Sequence, residues 1–257
     1  MTEQITFSFG ENWLNYLDTL TQARFQEARQ SLANLLGMDD LTNRTFLDIG
    51  CGSGLFSASA LSMHAKSVIS IDVDPKSVEA TQKLKTQRGA ADDWRILHGS
   101  ILDPQFVAQL PKSDIVYSWG VLHHTGSMWQ AIENAAGLVN PNGLFVIAIY
   151  NRVWTSGFWL KFKQQYNRSG KLGKQLLVWY LYAPRVVVRA LKGKSPFKSH
   201  RGMSVYYDAV DWAGGLPYEY ASFDEIVAFC AARGFVLKNS IRTNSTGCNQ
   251  FTFQKQS

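Results

Sequence analysis

The sequence predicts an α/β chain built on a doubly wound, seven-stranded, mostly parallel sheet with an antiparallel last strand and a helical insertion after the fifth strand. Three observations predict it. Apolar strand-like runs alternate with helix-like segments from residue 44 to residue 150. The first run, Phe46-Leu47-Asp48-Ile49, enters a turn with glycines at 50, 52 and 54, and the second, Ser67-Val68-Ile69-Ser70-Ile71, ends at Asp72, 22 residues after Gly50. The chain closes on two strand-like runs, 235–241 and 249–253, joined around Asn244-Ser245-Thr246-Gly247, which is a hairpin.

The elements follow in order. The opening stretch 7–16 is aromatic-rich, and apolar spacing from Trp13 to Leu36 predicts one helix stopped by Gly37. After the second strand, Pro75 sits in the first turn of a helix reaching Arg88. Residues 93–98 form a third strand, 104–110 a helix, and 113–118 a buried fourth strand. The end of that strand, Trp119-Gly120-Val121-Leu122-His123-His124-Thr125, lies at the carboxyl edge of the sheet, where ligands bind in doubly wound folds. A helix over 128–139, a Pro141-Asn142-Gly143 turn and a fifth strand over 144–150 complete the alternation. Residues 151–220 are the insertion, and 223–234 read as a helix with a glycine stop. The boundaries are therefore 1–43, an N-terminal helical segment; 44–150, the α/β core; 151–220, the insertion; and 221–257, the closing part of the core. There is no internal repeat.

Strand, glycine turn, helix, strand and terminal acid make a nucleotide-binding βαβ unit, because glycine admits a ligand to the backbone and a carboxylate accepts from ribose hydroxyls. A dinucleotide fingerprint reads G-x-G-x-x-G, whereas this chain reads G-x-G-x-G followed by Leu55 and Phe56. Leu47-Asp48-Ile49-Gly50-Cys51-Gly52-Ser53-Gly54 resembles motif I of the class I S-adenosylmethionine (SAM) methyltransferases, a Rossmann-like family. The resemblance implies that Asp48, Gly50, Cys51, Gly52 and Gly54 hold the amino-acid end of SAM. It further implies that Asp72, with Val73 beside it, holds the ribose, that Ser100 and Ile101 flank the adenine, and that Trp119 lines the cofactor cleft. The 1–43 segment, with Phe9, Trp13 and Tyr16, is then a lid, although packing of a helix on the sheet explains those aromatics equally well. S-adenosylhomocysteine (SAH) would be the product.

Composition narrows the classes. With 46% apolar residues the chain can bury a full core, so disorder is excluded. No apolar run approaches the roughly 20 residues that cross a bilayer, and the N-terminus lacks the pattern of a signal peptide, so a cytoplasmic protein is expected. Three cysteines, Cys51, Cys230 and Cys248, without C-x-x-C spacing read as free thiols, and no metal cluster is expected. Charge is uneven: between Glu133 and Asp208 there is no acid and 12 of the 26 Lys and Arg, leaving 14 against 20 acids elsewhere. That segment is also aromatic, with Trp154, Phe158, Trp159, Phe162 and Trp179. It suits a cap over an anionic acceptor, a patch on anionic lipid, or a footprint for RNA.

Methyl transfer requires alignment, exclusion of water and sometimes a base. The stretch from Trp119 to His124 resembles the post-strand motif of quinone-biosynthesis methyltransferases, including the ubiquinone-type O-methyltransferases, which makes His123 or His124 the candidate base. A second cluster, with Asp211, Tyr218 and Glu219, supplies further candidates near the acceptor. The Asp/Asn/Ser-Pro-Pro-aromatic motif of adenine N-methylation is missing, since this chain has Ser118-Trp119-Gly120-Val121. The expected function is methylation of a small molecule, at oxygen, on a glycan or quinone-type precursor. Methylation of RNA, and a SAM-binding subunit without chemistry of its own, are the alternatives.

Overall fold

A computed structural model describes residues 10–17, 20–89, 93–193 and 205–257. They gather into two compact units, one of Trp154–Tyr218 and the other of the described residues before Trp154 together with Glu219–Ser257.

The larger unit is the sheet. Its strands are β1 (Thr45–Ile49), β2 (Ser67–Asp72), β3 (Trp94–His98), β4 (Ser113–Trp119), β5 (Val139–Tyr150), β6 (Phe235–Ile241) and β7 (Cys248–Lys255), in the order β3-β2-β1-β4-β5-β7-β6. The first five pair parallel, and β7 runs antiparallel to both β5 and β6. This is the predicted seven-stranded, mostly parallel sheet with a reversed last strand. Chain order reverses at β1, which pairs with β2 on one side and β4 on the other. The carboxyl ends of those strands therefore border a crevice at the switch point.

Alternation along β1 sends Phe46 into one core and Leu47 and Ile49 into the other, so both faces of the sheet are apolar and covered. The covering helices are α1 (Gly10–Leu17), α2 (Gln22–Leu36), α3 (Leu55–Ser62), α4 (Pro75–Gln87), α5 (Pro104–Val107), α6 (Met128–Gly137) and, after the chain returns, α10 (Phe223–Ala231).

Helices α5 and α10 end at Val107 and Ala231, short of the expected Leu110 and Gly234, and three further boundaries differ for a visible reason. The single helix expected over 13–36 is two, because Thr21 takes an extended conformation and its hydroxyl accepts from the Arg24 N–H at 3.3 Å, starting α2 afresh. Helix α6 ends at Gly137, and β5 begins at Val139 rather than after the Pro141-Asn142-Gly143 turn. Ser113 already pairs with Val139, and the register slips before Ile115 meets Leu144. Asn142 absorbs the slip at φ 60°.

The smaller unit is helical: α7 (Ser156–Arg168), α8 (Lys171–Leu191) and α9 (Val205–Gly214). Tyr166, Val178, Leu181, Ala209 and Ala213 form its core. Trp159 packs edge-on against Trp212 with ring centroids 4.6 Å apart. Lys163 is buried there, its Nζ bonded to the Trp212 carbonyl and 4.9 Å from the Tyr218 ring.

Candidate active site

The loop after β1 is pinned on three sides. The Gly50 and Cys51 N–H groups both donate to the Ile71 carbonyl, at 2.8 and 3.1 Å, which ties the loop to the end of β2. The Thr81 hydroxyl on α4 donates to the Gly52 carbonyl at 3.1 Å and lies 3.3 Å from the Cys51 sulfur. Gly50 and Gly52 have φ of 74° and 56°, the left-handed region. A Cβ on Gly50 would stand 2.4 Å from both Val121 methyls, and one on Gly52 would stand 3.0 Å from the Trp13 ring. The loop therefore stays bare backbone, with Val121 under its start and the Trp13 indole lying on Gly52.

Two carboxyls flank it. Asp72, at the end of β2, is partly exposed and accepts from the Gly52 N–H at 3.0 Å and the Asp74 N–H at 2.9 Å. Burial pushes its carboxyl upward, against the pull of those bonds. Asp48 is 2% exposed and accepts from the Ser57 hydroxyl at 2.6 Å. Behind it the Trp94 Nε1–H donates to Ser70 at 2.7 Å, and because Ser57 gives its one hydroxyl proton to Asp48, the Ser70 hydroxyl, 2.6 Å away, donates to Ser57. The chain of donors ends on Asp48, whose pKa burial raises to about 7. Cys51 is buried beside both acids, and desolvation followed by their charge pushes its thiol well above the usual range. It is therefore no nucleophile at neutral pH.

The remaining expected cofactor contacts lie along the same edge. Val73 follows Asp72 with 66% of its surface exposed, and its carbonyl is 3.0 Å from His98 Nε2. Ser100 accepts from the Leu102 N–H at 3.1 Å, and the Ile101 carbonyl accepts from Asn134 at 2.8 Å. Trp119 donates its indole N–H to Gln250 at 3.1 Å, fixing it across the sheet toward β7.

His123 and His124 sit on a 3₁₀ turn, Leu122–His124, past the end of β4. His123 is fully buried, its ring 4.0 Å from that of Tyr150 and 4.5 Å from that of His124. His124 is partly exposed and meets Tyr150 edge-on at 5.4 Å. Both Glu219 carboxylate oxygens accept from the Met128 N–H at 3.1 Å, which caps α6, and the Glu219 N–H donates to the His123 carbonyl at 3.0 Å. Burial raises the Glu219 carboxyl, offset by those backbone bonds. Asp211 and Tyr218 belong to the helical unit, and the Asp211 side chain and Phe9 lie outside the described residues. Among the described residues no three His, Cys, Asp or Glu side chains gather to hold a metal ion.

A bare glycine loop and a partly exposed acid fit the two ends of SAM. The partly exposed Asp72 carboxyl beside the loop also favours a ligand carrying sulfonium and ammonium charge over one carrying phosphate. A sequence model described as "Methyltransferase domain" matches residues 47–145. Residues 47–145 carry a methyltransferase domain.

Over 109 residues the chain is 30% identical to the ribosomal protein L11 methyltransferase of Tolumonas auensis, covering 42% of this chain and 35% of that one. It is 29% identical over 143 residues to the ubiquinone biosynthesis O-methyltransferase of Bradyrhizobium diazoefficiens, covering 56% and 52%. It thus spans only a third to a half of the length of these curated relatives. The structure of magnesium protoporphyrin IX methyltransferase from Synechocystis with bound SAH superposes with a TM-score of 0.53 at 17% identity, over 90% of this chain and 83% of that one.

Four residues of the candidate site are given no part by the sequence alone. Thr81 lies mid-helix and Val121 reads as an ordinary apolar residue, yet they fix the loop from either side. Tyr150, the last residue of β5, backs the histidines. Ser57 bridges to Asp48 from α3. Only their place in the fold brings them together.

Proposed function

We propose that the protein transfers a methyl group from SAM to an oxygen of a small, anionic acceptor, leaving SAH. The observation that carries this reading is the glycine loop held bare between Val121 and Thr81, with a carboxyl on either side. When bound, SAM supplies a methyl carbon already activated by the sulfonium. What remains for the chain is to hold, to dry and to deprotonate.

Asp72 and the loop amides hold the cofactor, and Trp13 over Gly52 excludes water from it. His124 is the base: it is the accessible member of the histidine pair, and an imidazole is the side chain suited to take a proton from a phenol or sugar hydroxyl. Fully buried His123 braces it against Tyr150, and Glu219 holds the start of α6. Similarity to a ubiquinone biosynthesis O-methyltransferase supports oxygen as the target, and the basic segment supports an anionic acceptor.

The test uses SAM labelled in its methyl group, a panel of acidic phenols and nucleotide-linked sugars, and total RNA. Label is expected in the small-molecule fraction and is lost with His124→Ala. Label in RNA would replace the reading with nucleic-acid methylation. SAM binding with no labelled product would favour a non-catalytic subunit.

A further inference from the structure

The outer face of α8 serves no purpose in the unit's own core. Val178 and Leu181 point inward, and Lys174 and Arg185 lie toward the Tyr166 and Trp212 rings at 5.5 and 5.7 Å. On the opposite side Leu172, Leu176, Trp179, Tyr180, Val187 and Leu191 are 49% to 81% exposed. Their spacing follows the helical period, so they form one stripe. It runs for about 28 Å at 1.5 Å per residue. No charged side chain of α8 falls within it. Single exposed leucines need no explanation, but a continuous stripe of this kind marks a surface meant to be covered.

Charge decides what covers it. The unit of Trp154–Tyr218 carries 11 Lys and Arg against two Asp. Self-association through α8 would bring two such units face to face, at a cost in like-charge repulsion. An anionic surface is attracted instead. Lys171 and Lys192 are exposed at the two ends of the stripe, and Lys161 and Arg168 are exposed on α7. Trp179 and Tyr180 lie within it, and amphipathic aromatics suit the headgroup level of a bilayer. Ring contacts at 5.0, 5.7 and 6.3 Å link Phe158, itself 57% exposed, through Trp159 and Phe162 to Tyr180. The apolar surface thus continues onto α7. No described helix is long and apolar enough to cross a membrane.

We propose that α8 docks the protein in the plane of an anionic lipid bilayer, its Leu172–Leu191 stripe entering the headgroup boundary and its flanking lysines meeting lipid phosphates. This holds whatever the methyl acceptor is. The full chain is floated with vesicles of phosphatidylcholine, with and without an equal part of phosphatidylglycerol. Partitioning onto the anionic vesicles should be roughly tenfold or more above the neutral ones, since each Lys or Arg at the surface contributes about fivefold. It should fall as salt is raised. Leu176→Glu should abolish flotation without changing SAM affinity, and Leu191→Glu, at the most exposed position, gives the same readout if the first variant does not fold.

Equal or absent binding to the two vesicles, or flotation that both variants retain, would overturn the proposal. So would a lipid-free dimer in sedimentation equilibrium that Leu176→Glu converts to monomer, because the stripe would then be covered by a second copy.

Discussion

Replacing Asp48 with Asn tests the buried hydrogen-bond chain quantitatively. Below about pH 4 the Asp48 carboxyl is protonated in both folded and unfolded chains and contributes nothing to pH dependence. Between its unfolded value of 3.8 and its folded value of about 7, only the unfolded chain ionises. Stability therefore falls as pH rises through that window and levels off above it. At 1.36 kcal/mol per unit the full loss is about 4 kcal/mol. Asn at this position still accepts from Ser57 but has no such window. Burying its amide N–H groups adds a cost of about 1–3 kcal/mol that is independent of pH. Urea unfolding of both proteins from pH 5 to 8 spans most of the window, and the stability difference should widen in favour of Asp48→Asn by roughly 3 kcal/mol. Parallel curves would refute the reasoning, and would mean that Asp48 is ionised in the folded protein throughout.

Other substitutions read the loop and the histidines. Gly50→Ala forces a Cβ into the Val121 methyls at positive φ, and should cost about 2 kcal/mol or more of stability and at least tenfold in SAM affinity, read by thermal melts and calorimetry. Thr81→Val keeps the shape but removes the donor to the Gly52 carbonyl. A loss of about 1 kcal/mol in SAM binding is expected, with little change in fold by circular dichroism. His124→Ala should lower kcat by about 10²–10⁴ with SAM affinity intact. His123→Ala, a deletion at a fully buried position, should instead lower stability by about 2–4 kcal/mol, and comparing steady-state kinetics with melts separates the two.

The sheet and the glycine loop were legible in the sequence for a local reason. Buried parallel strands are short apolar runs, and the glycines that a ligand-facing turn requires are written within one stretch from Phe46 to Gly54. Asp72 was legible because it terminates the very next strand. Helix ends were less so: the break at Thr21 depends on one hydroxyl finding the Arg24 N–H, and the early start of β5 depends on pairing with Ser113. The parts played by Thr81, Val121 and Tyr150 were not legible, because what each does is defined by a residue 26 to 71 positions away. Glu219 shows the converse. It stood out as an acid among aromatics and glycines, and the fold sets both its oxygens on the Met128 N–H.

Calorimetric titration of the purified chain with SAM, repeated on Asp72→Ala, bears most directly on the claim that the β1–β2 edge is a SAM site. One site per chain is expected, weakened roughly tenfold to a hundredfold in the variant, because a charged acceptor of hydrogen bonds is lost. A folded Asp72→Ala protein that binds SAM as tightly as the parent, or a parent that binds none, would contradict it.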